Sequence, residues 1–246
     1  MDIQNRFERY ELKYLMDGWQ YDAVRRAMDG RTVGDEYGRS TVCNIYYDTP
    51  DMLLIRRSLE KPIYKEKLRL RSYGAARDDS RVFLELKKKY KSVVYKRRAA
   101  MRLCEADEFF VDPAADTQIK RELAYFIAKM SPLAPAMLIS CEREAYFGAD
   151  DRDLRITFDR NILWRDSEVD LRLGAGGRAV LAGDAVLMEV KVAGAIPLWL
   201  SGALADARIY PTSFSKYGRA YCMRMAEQRS AGASAYMNFA ARSRIG

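Results

Sequence analysis

No histidine occurs among the 246 residues. That absence excludes a Ser-His-Asp triad, a Cys-His nucleophile pair, an imidazole-ligated zinc site and a phosphohistidine relay. Cysteine is scarce. Cys43, Cys104, Cys141 and Cys222 are far apart and form no C-x-x-C pair, which argues against a thiolate zinc site. A core of the size this chain can build needs no disulfide, so free thiols in a reducing, cytoplasmic setting are expected. No run of 18 apolar residues exists, so no spanning helix is expected. The first ten residues carry charges throughout and lack the apolar stretch of a secretory signal. There is no internal repeat. Glycine clusters only in Leu173-Gly174-Ala175-Gly176-Gly177-Arg178, which opens no helix; it reads as a mobile hairpin loop rather than a phosphate-binding glycine loop.

The chain is rich in charge. Lysine and arginine number 42 against 34 acids, a net charge of +8, with 49% apolar residues to build a core. The excess points to an anionic partner: nucleic acid, an acidic membrane surface or phosphorylated small molecules. With no composition break, residues 1–228 read as one domain, followed by a tail, 229–246, rich in Ala, Ser and Arg.

Strand signals recur with one peculiarity. Arg9, Glu11 and Lys13 alternate with Tyr10, Leu12 and Tyr14. Lys67, Arg69 and Arg71 alternate with Leu68 and Leu70. Glu85 and Lys87 alternate with Leu84 and Leu86. Arg155, Thr157 and Asp159 alternate with Ile156 and Phe158, and Glu189 and Lys191 with Met188, Val190 and Val192. Side chains along a strand point to opposite faces with period two, so each segment has one charged and one apolar face. Further strands are expected over 93–101 with Lys96, 138–147 with Arg143, and a mostly apolar 42–47. Helical spacing predicts helices over 19–28 with Asp17 as N-cap, 51–59 with Asp51 at its start, 117–130, 197–207 and 216–225.

A half-buried sheet explains any one of these strands. The set is harder to explain that way. Arg9, Lys13, Lys67, Arg69, Arg71, Lys87, Lys96, Arg143, Arg155, Lys191 and Lys216 stand against only Glu11, Glu85, Asp159 and Glu189. Two like charges about 4 Å apart repel by ~4 kcal/mol at an effective dielectric near 20, and whole domains are stable by only ~5–15 kcal/mol. If the strands neighbour one another, the carboxylates offset part of this and a polyanion would offset the rest. The aromatics sit mostly on the opposite parity, as core, which argues against a base-stacking nucleic-acid surface. Carboxylates embedded among cations suit a site for Mg²⁺ or Mn²⁺ bridging to phosphates, the general arrangement for phosphoryl transfer.

Nine segments, in order, resemble one family: Arg9-Tyr10-Glu11-Leu12-Lys13-Tyr14, Tyr46-Tyr47-Asp48-Thr49-Pro50, Lys67-Leu68-Arg69-Leu70-Arg71-Ser72-Tyr73-Gly74, Glu85-Leu86-Lys87-Lys88-Lys89, Tyr95-Lys96-Arg97-Arg98, Cys141-Glu142-Arg143-Glu144-Ala145-Tyr146, Arg155-Ile156-Thr157-Phe158-Asp159, Met188-Glu189-Val190-Lys191 and Ser215-Lys216-Tyr217. Their order resembles the catalytic domain of the vacuolar transporter chaperone, a polyphosphate polymerase of the triphosphate tunnel metalloenzyme superfamily, related to the CYTH enzymes. The resemblance implies an α+β fold, a closed eight-stranded antiparallel β-barrel forming a triphosphate tunnel with helices packed on the outside. It implies that ATP donates its γ-phosphoryl group to a growing polyphosphate chain with Mn²⁺ or Mg²⁺. Arg69, Arg71, Lys87, Arg143, Arg155 and Lys216 are then the expected catalytic cations. Arg9, Lys13, Lys67, Lys96 and Lys191 are further substrate contacts, and Glu189, with Glu11 and Glu85, a metal ligand. Alternatives are a triphosphate or tripolyphosphate hydrolase in the same tunnel and a non-catalytic polyanion binder. ATP and polyphosphate are the expected partners, without nucleic acid. Neither the phosphate-sensing domain nor the membrane helices of the eukaryotic arrangement are expected within this sequence, which leaves room for a membrane partner protein. Oligomeric state is left open.

Overall fold

A computed structural model describes residues 10–242, Ser92 and Ala114 excepted, with side chains to residue 231. Alternating residues form strands and three-to-four spacing forms helices, in the order β1 (Tyr10–Met16), α1 (Gly18–Met28), β2 (Thr32–Asp48), α2 (Leu53–Leu59), β3 (Tyr64–Tyr73), β4 (Arg81–Tyr90), β5 (Val93–Arg102), α3 (Leu103–Val111), α4 (Gln118–Lys129), β6 (Ala134–Gly148), β7 (Arg155–Arg165), β8 (Arg178–Ala179), β9 (Val186–Val192), α5 (Leu198–Asp206) and α6 (Lys216–Arg242). The strands make one antiparallel sheet ordered β1-β9-β7-β6-β2-β3-β4-β5, with the two-residue β8 beside β7.

The expected closed barrel of eight strands needs correction. There are nine strands, and β1 and β5, the ends of the path, do not pair among the described residues. The outer edge of β1 is already taken. Tyr14 bridges Pro211, and the Thr212 amide donates to the Lys13 carbonyl at 2.7 Å. The sheet nonetheless curls far enough for Glu11 of β1 and Lys87 of β4 to meet at 3.3 Å. The result is a lumen with a seam.

Three apolar clusters fix this shape. Leu68, Leu70, Leu84 and Leu86 pack outside the sheet against Phe109 of α3 and Leu123 and Phe126 of α4. Tyr14, Ile156, Phe158, Met188 and Val190 pack against Val24 and Met28 of α1 and Leu200 and Leu204 of α5. Each fully buried side chain of this kind contributes roughly 1.5–3 kcal/mol. The third cluster joins Val42, Tyr46, Ile139, Cys141, Trp164 and Leu187 to Tyr217 and Ala220 of α6. It lies on the charged, concave side, so α6 does not pack outside with the other helices: its first turns plug the lumen from within. α6 also runs unbroken past residue 228 to Arg242.

Local chemistry explains the other differences. Asp17 caps α1 as expected, accepting from the Gln20 amide. The α2 terminus belongs instead to Asp48: its carboxylate accepts from the amides of Thr49 (2.9 Å), Leu54 (2.8 Å) and Ile55 (3.0 Å), and from the Tyr217 hydroxyl at 2.8 Å. Asp51 pairs with Arg56 on the surface. α3 follows β5 without a breaker residue, which is why periodicity over so short a segment does not signal it; Leu103, Ala106 and Phe109 are its buried face. The glycine-rich loop is tied down, because Arg165 donates to the carbonyls of Glu168, Asp170 and Gly174 at 3.0 Å each. All four cysteines are free thiols. Among the described residues no helix is long and apolar enough to cross a membrane.

Asp48 is 1% exposed and joins the α2 terminus to the α6 plug. Asp48→Ala leaves two buried amides and a buried hydroxyl without their acceptor. We expect a loss of about 2–4 kcal/mol in urea unfolding; a loss below about 0.5 kcal/mol would refute this role.

Candidate active site

The charged parity faces one lumen. One buried anion is Glu85 on β4, 1% exposed. One oxygen meets Lys96 Nζ at 2.6 Å and Arg98 at 2.5 Å; the other meets Arg69 Nε at 2.7 Å and lies 3.9 Å from Arg71. Strand register explains the gathering: Arg69 stands opposite Glu85 and Glu85 opposite Arg98. Burial raises the Glu85 pKa, but Arg69, Arg71 and Lys96 outweigh it and hold the carboxyl well below the usual range. Arg71 also donates to Asn44 at 2.9 Å, and Arg69 to the Tyr46 hydroxyl at 3.4 Å.

A second group forms on the other wall. Asp159 of β7, fully buried, accepts a bidentate pair from Arg143 of β6 at 2.6 Å and an ion pair from Lys216 at 2.5 Å. Lys216 is the first residue of α6 and also reaches Glu189 at 3.2 Å. Lys13 Nζ lies 3.3 Å from Glu189 and 3.4 Å from Glu11, and donates to the Phe214 carbonyl at 3.1 Å. Burial opposes ionisation of Asp159 and Glu189. Lys216 and Arg143 still bring Asp159 down to about 2, and Lys216 and Lys13 hold Glu189 well below its ordinary value. Burial likewise opposes the Lys216 charge, but Asp159 and Glu189 raise its pKa.

In other cations of the lumen burial outweighs whatever partners they have. Lys67 finds only the Ser215 hydroxyl, at 2.9 Å, and no carboxylate among the described residues. Burial, then Lys13, Lys65, Lys87 and Arg69, push its pKa down to about 7. Burial brings Lys96 down to about 8 in spite of Glu85, and takes Arg71 down to about 10. Lys191, opposite Glu11 in the sheet, is lowered mainly by burial. Directly opposed like charges recur in the register: Lys67 with Lys87, Lys87 with Lys96, Arg155 with Lys191. Such pairs destabilise a sheet, and negative charge between them would relieve that cost.

Of the residues expected from sequence, Lys13, Lys67, Arg69, Arg71, Lys87, Lys96, Arg143, Lys191, Lys216, Glu11, Glu85 and Glu189 share this lumen. Arg155 stands exposed at the start of β7, its guanidinium 5.1 Å over the Phe147 ring. Arg9 lies outside the described residues. Arg98, Asn44, Tyr46 and Ser215 were not expected. Arg98 shares the parity of Lys96 and was legible on that ground, whereas Asn44 sat in a segment read as apolar. Among the described residues no three His, Cys, Asp or Glu side chains gather as a metal site. Glu11 and Glu189 converge on the Lys13 ammonium, and Asp159 and Glu189 on that of Lys216.

The VTC domain profile matches residues 8–224. In fold the chain is similar to a Hippeastrum protein described as a candidate adenylyl cyclase with dominant triphosphatase activity (15% identity, TM-score 0.54, 85% of this chain and 94% of that one). It is also similar to a candidate adenylate cyclase from Bacillus halodurans (13% identity, TM-score 0.52, 83% and 92%). No curated protein matches significantly.

Two pH effects follow. A carboxyl with a depressed folded-state pKa stabilises the protein above its unfolded pKa near 4, and that stability is lost as pH falls through the folded value. Thermal melts should therefore hold near pH 5 and collapse between about pH 4 and pH 2 as Asp159 and Glu189 protonate. Lys67 has the opposite cost, since below pH 7 its charge is forced into a cationic cavity. Lys67→Met should raise stability at pH 6 by on the order of 1 kcal/mol while weakening tripolyphosphate binding. A destabilised variant would mean that Lys67 supports the fold.

Proposed function

Since the chain belongs to the VTC domain family, we propose that it transfers the γ-phosphoryl group of ATP to a polyphosphate chain held in the cationic lumen, with Mn²⁺ or Mg²⁺. The observation that carries this reading is the convergence of Arg69, Arg71, Lys96, Arg143, Lys13 and Lys216 around buried carboxylates, with Lys67 left without one.

Glu85 and Asp159 act as fixed counter-charges. Each holds guanidinium groups in one orientation before substrate arrives, so little reorganisation is needed when phosphate charge develops. Arg69, Arg71, Lys87, Arg143 and Lys216 grip phosphate oxygens, joined by Arg155 at the strand end. Lys13, Lys67, Lys96 and Lys191 extend that grip. Mg²⁺ and Mn²⁺ take oxygen ligands, and Mg²⁺ commonly binds through one or two carboxylates plus substrate phosphates. Glu189 and Glu11 fit that donor set, because they already share one cation, the Lys13 ammonium. Glu85 fits less well, since it is 1% exposed and four cationic side chains crowd its two oxygens. When bound, the ion would neutralise phosphate charge.

In the reaction, the bond from the γ-phosphorus to the β,γ-bridging oxygen breaks and ADP leaves with that oxygen. A new bond forms to a terminal oxygen of the chain. The acceptor is already an oxyanion, so no side-chain base has to take a proton, and a site without histidine suffices. An ATP donor fits the cytoplasmic setting expected from the sequence.

A second reading is hydrolysis of triphosphates, with water as acceptor. It draws on the triphosphatase activity ascribed to the Hippeastrum protein of similar fold.

One assay separates these readings. Purified protein with ATP and Mn²⁺ should yield long chains on a gel and matching ADP, and Glu189→Gln should lower the rate at least about 100-fold. Free phosphate without chains would replace the polymerase with the hydrolase; no turnover of any triphosphate would leave only a polyanion binder. Tripolyphosphate at 100 times its dissociation constant should add ~2.7 kcal/mol of stability, and an unshifted melting temperature would contradict the site.

A further inference from the structure

The unmatched cations continue past the lumen's inner carboxylates. On β3 the concave-facing positions are Arg71, Arg69, Lys67 and Lys65; on β4 they are Glu85, Lys87 and Lys89. Register sets Lys65 directly opposite Lys89, one rung beyond Lys67 and Lys87. Lys65 feels the lumen: after burial, the groups that lower its pKa are Lys89, Lys87, Lys13 and Lys61, every one a cation. Among the described residues neither Lys65 nor Lys89 has an ion-pair partner. The intervening Lys88 belongs to the other face, where its charge acts on Glu122 of α4.

We propose that Lys65 and Lys89 form an outer phosphate subsite, which holds the part of a polyphosphate chain extending beyond the inner cations and so favours long chains over short ones. The inference rests on the phosphate-binding reading of the lumen and adds chain-length selectivity to it. Rungs on a strand recur every two residues, about 6.6–6.8 Å. From Arg71 to Lys65 the β3 column therefore spans roughly 20 Å, longer than a triphosphate needs. Two opposed lysines without a carboxylate are unfavourable in the empty protein, and an anion lying between them removes that cost.

The test compares inorganic tripolyphosphate with a polyphosphate of some tens of phosphates, binding to the full chain by calorimetry at fixed salt. Variants are Lys65→Ser/Lys89→Ser and, as control, Lys88→Ser. The wild type should bind the long chain more tightly. The double variant should lose roughly tenfold in long-chain affinity with tripolyphosphate affinity unchanged, and Lys88→Ser should match the wild type. A double variant that keeps the full long-chain preference overturns the subsite. So does one that loses both ligands equally, because Lys65 and Lys89 then act on the lumen as a whole. If tripolyphosphate fails to bind the wild type, the lumen reading itself falls, and the subsite with it.

Discussion

A carboxylate that is 1% exposed and meets four cationic side chains sets the terms for the rest of this protein. Removing charge from water costs several kcal/mol per ion, and only close, well-directed partners repay it. Glu85 has such partners because the two strands flanking β4 deliver Arg69 and Arg71 on one side and Lys96 and Arg98 on the other. Asp159 does the same for Arg143 and Lys216 on the opposite wall. These anions let the sheet curl with its charged face inward. They do not neutralise that face, and the remaining positive charge is the functional resource.

The plug follows from the same constraint. A charged lumen needs one dry end, and Tyr217, stacked on Tyr46 at 4.5 Å beside Trp164 and Leu187, provides it. The turn that brings Tyr217 there also delivers Phe214, Ser215 and Lys216 to Lys13, Lys67 and Glu189. That segment occupies the edge where β1 would otherwise have met β5. Failure to close is therefore the means by which the α6 terminus enters the site.

Much of this was legible in the sequence. Period-two alternation marked the charged strands, and parity alone put Lys13, Arg69, Arg71, Lys87 and Glu189 on one face. The same reasoning reached Asp17 as a cap. It missed what depends on contacts distant in sequence. Asp48 outcompetes Asp51 for α2 because Tyr217 also needs its carboxylate. α3 is too short for its periodicity to stand out. Asn44 is a polar residue in an apolar run, and its value appears only beside Arg71. Glu85 carries the same residue type and parity as Glu189; what sets it apart is the crowding of cations on both its oxygens.

The central claim is that this lumen holds more positive charge than its own carboxylates satisfy. Proton exchange on binding reads that charge directly. Calorimetry of tripolyphosphate binding without metal, at pH 8.5 in buffers of differing ionisation enthalpy, should show net proton uptake by the protein, because Lys67 and Lys96 are depressed to about 7 and about 8 in the free state and regain their protons beside phosphate. Binding with no proton exchange, or with release, would contradict it.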